Sequence, residues 1–125
     1  LYFWFPKMSG RYLSEPIGKV IFWLFFLGMN VTFMPMHWLG IAGMARRIYT
    51  YRPEFLSLNQ FISAGYLLMA LGGALLTINI FYTLIAKRRT AGNDPWNVND
   101  IQKTLDWETT SPPAPHNFDR IPKIA

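Results

Sequence analysis

Two long stretches without a single Asp, Glu, Lys or Arg constrain this chain more than any other feature. The first covers residues 20–40 and the second covers residues 55–86. A helix needs about 20 apolar residues to cross a hydrocarbon core of about 30 Å, and both stretches supply that length. Inside a bilayer every backbone N–H and C=O must be satisfied within the protein, which favours helices. The sequence therefore predicts an all-α membrane protein with two transmembrane helices.

Proline residues mark where these helices begin. Pro16 suits a first helical turn, so we place the first transmembrane helix at residues 17–40. Pro35 lies in the last third of that helix and is expected to kink or loosen it. Pro53 suits the start of the second transmembrane helix, at residues 55–86.

The second apolar stretch contains a run of small residues, which let helices approach closely where lipid surrounds them. These residues are Ser63, Ala64, Gly65, Ala70, Gly72, Gly73 and Ala74. Two helices alone offer little surface for such packing. The pattern therefore predicts a larger helical bundle around this pair.

After residue 86 the composition becomes polar and rich in Pro and Asn, without a sustained period. Disorder is one interpretation of such a segment. Four large apolar side chains instead favour an extended C-terminal tail, residues 87–125, that docks on a surface. These anchors are Trp96, Leu105, Trp107 and Phe118.

Positive charge indicates the orientation. Basic residues precede the first charge-free stretch, within residues 1–19, and follow the second at residues 87–89. Cytoplasmic or matrix segments of membrane proteins carry an excess of Lys and Arg. This rule places the connection at residues 1–16 and the tail at residues 87–125 on the cytoplasmic or matrix side. The loop at residues 41–54 then lies on the outer side.

That outer loop contains the segment GMARRIYTY, in which Arg46 and Arg47 are adjacent, and it also contains Arg52. Three arginines on the outer side are an exception to this rule, which places the excess of Lys and Arg on the cytoplasmic or matrix side. A guanidinium presents a planar fork of donors that matches a carboxylate or a phosphate. Lipid phosphates and the carboxylates of a cofactor are both compatible with an arginine pair in this position.

The chain resembles the end of subunit I of the haem–copper terminal oxidases in four blocks. In chain order the blocks read WFPKMSGRYL, NVTFMPMHWLGIAGMARRIYTY, AGNDPW and LDWETTSPPAPHNF. The resemblance covers essentially the whole chain. It implies that the two spans are the last two helices of a twelve-span bundle. The membrane orientation that the resemblance implies agrees with the orientation inferred from the positive charges.

The resemblance also implies a function. The chain would be the C-terminal part of the catalytic subunit of a proton-pumping cytochrome c oxidase, which reduces oxygen to water. The complex would contain a low-spin haem, a high-spin haem and copper. Its partners would be the remaining helices of subunit I, oxidase subunits II and III, cytochrome c and membrane lipid. The location would be a bacterial or archaeal cell membrane or the mitochondrial inner membrane.

Four residues match positions that are close to haem in this family. The resemblance implies that Arg46 and Arg47 hydrogen-bond and neutralise the haem propionates. It places Thr32 and Phe33 beside the low-spin haem. The family is thought to move protons outward through the propionate region.

Metal ligands and catalytic residues are not expected in this segment. The axial and copper ligands of the family lie on earlier helices, and neither His37 nor His116 matches a ligand position. We expect His37 to be a hydrogen-bonded histidine near a helix end. The chain has no cysteine, so a thiolate metal site is excluded. Its basic residues flank apolar segments, which argues against a nucleic-acid partner. The chain alone should not catalyse a reaction.

Two alternatives remain open. Quinol-oxidising relatives share the arginine pair and the tail, although the histidine in MPMHWLG favours cytochrome c as the donor. A small two-span structural or assembly protein would use the arginines to bind lipid phosphate, without haem. The chain begins with Leu1, so we expect a processed product, an incompletely built chain or part of a longer or split subunit.

Overall fold

The computed structural model describes residues 1–86, 90–98 and 104–118, which form helices and connecting turns. The helices are α1 (Phe5–Ser9), α2 (Glu15–Ile41), α3 (Leu56–Ile85) and α4 (Leu105–Glu108), with a 3₁₀ turn at Pro53–Phe55. Within these ranges there is no β-strand, and the one isolated bridge pairs Arg11 with Thr90. The prediction of an all-α fold is confirmed.

Two of these helices, α2 and α3, are long and apolar enough to cross a membrane. Only 17% of the most apolar window of each helix is buried inside the chain, whereas the core helix of a soluble protein is mostly buried. Large aromatic side chains such as Phe22, Trp23 and Phe26 are exposed along α2. The chain is an integral membrane protein, as predicted.

The ends of the helices can be compared with the predicted spans. Helix α2 begins at Glu15, continues through the buried Pro35 and ends at Ile41. Helix α3 follows directly on the 3₁₀ turn that Pro53 opens. The basic residues 87–89 lie outside the described residues, so the assignment of the two membrane sides stays a prediction.

Contacts divide the chain into two units. The helix-pair unit is Pro16–Thr77, and the terminal unit combines Leu1–Glu15 with Ile78–Ala125. In the helix-pair unit the backbones of α2 and α3 approach each other at Gly28 and Gly65. Thr32 lies at the same contact with no exposed surface, and its hydroxyl has no hydrogen-bond partner among the described residues. Small side chains make this close contact possible.

In the terminal unit, aromatic rings connect the tail to the first residues of the chain. Trp107 stacks on Trp4 with ring centroids 5.3 Å apart. Trp96 stacks on Phe3, and its Nε1 donates a hydrogen bond to the carbonyl oxygen of Phe3 at 2.9 Å. These two residues contact the N-terminal segment, as expected for a docked tail. Of the other predicted anchors, Leu105 is exposed and Phe118 is half-buried.

Lys7 also connects the tail to the N-terminal segment. Its side chain is only 5% exposed, and its Nζ donates to the carbonyl oxygens of Asn93 and Thr109. The ammonium also lies 5.7 Å from the centre of the Trp107 ring. Burial lowers the pKa of Lys7, and the carboxylates of Asp94 and Asp106 partly oppose this shift. The folded chain therefore holds this proton less tightly than the unfolded chain does.

Replacing Lys7 by methionine is expected to release the segment 104–118. The variant keeps the apolar stem but removes the Lys7 donor from the buried carbonyl oxygen of Thr109, which costs about 1–3 kcal/mol if that group stays buried. The carbonyl oxygen of Asn93 still accepts from the hydroxyl of Ser111. Limited proteolysis of the purified native complex measures the release as faster cleavage in this segment. Lys19→Met is the control, because Lys19 is exposed on α2. Equal cleavage rates in the two variants would show that Lys7 does not hold the tail.

Candidate functional site

The C-terminal end of α2 is closed by a glycine turn. Gly43 has a φ of 87°, in the left-handed region. Its N–H donates to the carbonyl oxygen of Gly40 at 3.1 Å, and the N–H of Met44 donates to that of Leu39 at 2.9 Å. These two bonds form a Schellman motif, in which a left-handed residue ends a helix and reverses the chain. The segment that follows the helix is thereby turned back beside the helix end.

The predicted arginine pair lies in the next turn. Arg46 and Arg47 are both exposed, and Arg47 has a φ of 57°. Within the described ranges neither guanidinium has a hydrogen bond or an ion pair. Arg52 differs from this pair, because its guanidinium contacts the Glu54 carboxylate at 3.0 Å. Two of the three loop arginines are therefore available to an external anion.

Both arginines line one cavity of about 730 Å³ in the helix-pair unit, which we call the arginine cavity. This volume lies in the range of small-molecule sites. Its lining includes Phe33, Met36, His37, Arg46, Arg47 and Asn59. None of the described lining residues is an aspartate or glutamate. The cavity suits an amphiphilic ligand with an apolar body and anionic groups, since a buried anion is stabilised by a fixed cationic partner.

His37 lies on the wall of this cavity, one helical turn after Phe33. Its Nδ1 donates to the carbonyl oxygen of Phe33 at 2.8 Å. The prediction of a hydrogen-bonded histidine near the helix end is confirmed. The cavity position of His37 and Asn59 was not predicted, because it depends on how the turn at Gly43 brings the loop onto the helices.

The two residues predicted to line a haem occupy different places. Phe33 lines the arginine cavity and is 44% exposed. Thr32 is fully buried, and its hydroxyl contacts the backbone of Gly65 on α3. Phe33 therefore lines the same cavity as Arg46 and Arg47, whereas Thr32 lies at the contact between α2 and α3.

Comparison with known sequences identifies the family to which this chain belongs. The sequence model described as cytochrome c and quinol oxidase polypeptide I matches residues 1–76. The chain belongs to this family. It is the subunit I family of the haem–copper oxidases, and the membership confirms the resemblance found in the four sequence blocks.

Relatives within the family carry two kinds of name. The chain is 45% identical to a cytochrome c oxidase subunit 1 from Synechocystis, over 99% of the chain and 22% of the relative. It is 42% identical to a quinol oxidase subunit 1 from Bacillus subtilis, over 98% of the chain and 19% of the relative. A cytochrome c oxidase subunit 1 from Cereibacter sphaeroides is 42% identical over 98% of the chain and 21% of its own length. The chain thus spans about a fifth of the length of these relatives.

Haem is the cofactor that this family implies, and the arginine cavity fits it. A haem has an apolar macrocycle and two propionate groups. The apolar lining of the cavity includes Phe33, Leu39 and Ile62, and its charged lining consists of Arg46 and Arg47. The donor set is therefore suited to the carboxylate end of the cofactor. The histidines that hold the metal are implied to lie outside this chain.

Proposed function

We propose that the chain is the C-terminal part of the catalytic subunit of a proton-pumping cytochrome c oxidase that reduces oxygen to water. The observation that carries the proposal is the arginine cavity, in which Arg46 and Arg47 lack a protein partner among the described residues. Family membership and the two apolar helices support it. When bound, the two haems and copper supply electron transfer and oxygen reduction.

In this proposal Arg46 and Arg47 each bind haem propionates through charge-assisted hydrogen bonds. Such bonds are shorter and about twice as strong as neutral ones, and the guanidinium fork fixes their direction. Phe33 lines the low-spin haem. Thr32 acts on the cofactor indirectly, since its contact with Gly65 sets the position of α2 against α3.

The rest of the assembly follows from the same proposal. The remaining helices of subunit I cover the exposed faces of α2 and α3 and provide the metal ligands. Oxidase subunits II and III, membrane lipid and cytochrome c are the other partners. The copper ligands are proposed to lie on the earlier helices of subunit I, outside this chain.

A reduced-minus-oxidised optical spectrum of the purified native complex tests this function, recorded with and without carbon monoxide. We expect one low-spin haem band and one high-spin haem band that carbon monoxide shifts. A complex without haem bands would overturn the proposal and favour the two-span structural protein that binds lipid phosphate.

A quinol oxidase is the second candidate, favoured by the 42% identity to the Bacillus subtilis quinol oxidase subunit 1. The same purified complex separates the two donors. Oxidation of reduced cytochrome c without added quinol supports the first candidate, and oxidation of a quinol alone supports the second.

A further inference from the structure

Met44 differs from its neighbours in the loop at residues 41–54. Its side chain is half-buried, whereas the other residues of this loop, including Arg46 and Arg47, are exposed. A segment with few buried side chains has little to oppose its local opening. The contacts of Met44 are therefore important for holding the arginine pair in a fixed place.

Two hydrogen bonds connect Met44 to the ends of both long helices. Its backbone N–H donates to the carbonyl oxygen of Leu39 at 2.9 Å, in the turn that ends α2. Its Sδ accepts a hydrogen bond from Nδ2 of Asn59 on α3, with 3.6 Å between the two atoms. A thioether sulfur is a weak acceptor, but this bond links the loop directly to α3.

A second hydrogen bond fixes the orientation of the Asn59 amide. Its Nδ2 also donates to the carbonyl oxygen of Phe55 at 2.8 Å. A carbonyl oxygen can only accept, so the nitrogen of the amide faces it and the amide oxygen does not. One N–H of Nδ2 thus binds the backbone at the start of α3, and the other binds Met44. Asn59 is half-buried and lines the arginine cavity.

We propose that Asn59 is a positioning residue for the arginine pair. Its bond to Met44 holds the loop against α3, and Arg46 and Arg47 follow Met44 after one intervening residue. A guanidinium fork binds a carboxylate through two bonds only when its direction matches, and a loop that is already fixed need not be ordered when the ligand binds. The inference rests on the proposed function, because the haem propionates are the anions that the positioned arginines bind.

Two variants remove this bond in different ways. Asn59→Leu keeps a side chain of similar size without a donor. Met44→Leu keeps an apolar side chain at the half-buried position and removes the acceptor, and it also serves if Asn59→Leu prevents assembly. The matched control is Asn30→Leu. Asn30 donates the same type of bond to the carbonyl oxygen four residues earlier, that of Phe26 at 2.7 Å, and is not among the described residues that line the arginine cavity.

The first readout follows the loop itself. Trypsin cleaves the backbone after exposed arginines, and cleavage requires the loop to open locally. The purified native complex is digested under native conditions, and cleavage after Arg46 and Arg47 is followed by mass spectrometry. We expect faster cleavage in Asn59→Leu and Met44→Leu than in the wild-type complex, and the wild-type rate in Asn30→Leu.

The second readout is the midpoint potential of each haem in the same complexes, measured by spectroelectrochemical titration. We expect Asn59→Leu and Met44→Leu to shift a potential in the same direction as Arg46→Lys or Arg47→Lys, because each change weakens the stabilisation of a propionate. When Asn59→Leu is combined with an arginine variant, the shift should be smaller than the sum of the two single shifts. Lysine lacks the fork whose direction Asn59 sets, so the two changes are coupled.

The outcomes separate this inference from the proposed function. Wild-type cleavage rates in both Asn59→Leu and Met44→Leu, or wild-type potentials in both, would overturn the role of Asn59. Additive shifts in the combined variants would also overturn it, because Asn59 would then act independently of the arginines. In each of these cases a shift in Arg46→Lys or Arg47→Lys leaves the propionate site standing. If no arginine variant shifts a potential, the propionate site itself is wrong, and the inference is overturned with it.

Discussion

Membranes that express the Gly65→Ala variant are expected to contain little or no assembled haem protein. A methyl group at Gly65 would lie 2.8 Å from the backbone nitrogen of Thr32 and 2.9 Å from the carbonyl oxygen of Gly28, and would also contact the Thr32 hydroxyl. Two of these three atoms belong to the backbone of α2, so a change of rotamer cannot relieve the overlap. The helices must move apart, and the cost is about 1–3 kcal/mol or more.

The second span offers a matched control for this prediction. Gly73 lies on the same helix, and a methyl group there would meet no atom of the described residues within 4 Å. Both substitutions raise intrinsic helix propensity by the same amount, and within this chain only the methyl group at Gly65 meets atoms of α2. The measurement is the haem content of the membranes per unit of expressed chain. Normal haem content in Gly65→Ala would show that α2 and α3 do not pack as described.

A double variant identifies which atoms cause the effect. Thr32→Ala removes the hydroxyl that faces Gly65 but leaves the backbone nitrogen at 2.8 Å from the added methyl group. We therefore expect Thr32→Ala combined with Gly65→Ala to remain defective. Full recovery of haem content would show that the hydroxyl alone was limiting and that the backbones of α2 and α3 lie farther apart than described.

The small residues of the second span show how far the sequence could predict the packing. Their presence indicated a helix that packs closely, and the structure shows such a contact. Only some members face α2: Gly65 contacts its backbone, Gly72 lies near Leu24 and Phe25, and Gly73 has no described atom close to the position of an added methyl group. The choice among them depends on the rotation of each helix about its axis. Lipid-facing and helix-facing positions are both apolar here, so the sequence pattern does not determine that rotation.

The sequence likewise predicted some residues of the candidate site but not their arrangement. Charge and resemblance predicted a role for Arg46 and Arg47, because two guanidiniums in a loop that is predicted to lie outside favour an anionic partner. The turn at Gly43 and the position of His37 on the cavity wall could not be read from the sequence. Both depend on a left-handed backbone angle and on the reversal that it causes. A Gly three residues after the end of the predicted helix was the available signal for that turn.

Replacing either arginine of the pair by lysine is expected to shift the midpoint potential of a haem or to impair assembly. Lysine keeps the charge but loses the planar fork, so a bidentate carboxylate contact becomes a single point contact. Reduced-minus-oxidised spectra and midpoint potentials of the purified native complex measure the effect. Arg52→Lys is the control, because Arg52 pairs with Glu54 and does not line the arginine cavity. Unchanged spectra, potentials and turnover in both Arg46→Lys and Arg47→Lys would contradict the propionate assignment.

The double variant tests whether the two arginines bind separate carboxyl groups. Consecutive side chains leave a turn in different directions, and Arg47 adopts the left-handed conformation with a φ of 57°, so we expect each guanidinium to have its own partner. In that case the free energies of the two single variants should add more closely than those of residues that share a partner, which typically show interaction energies of about 0.5–3 kcal/mol. A shared carboxylate would instead make the second substitution nearly without effect once the first is present. Additivity of the shifts would therefore favour two propionates, and non-additivity would favour one.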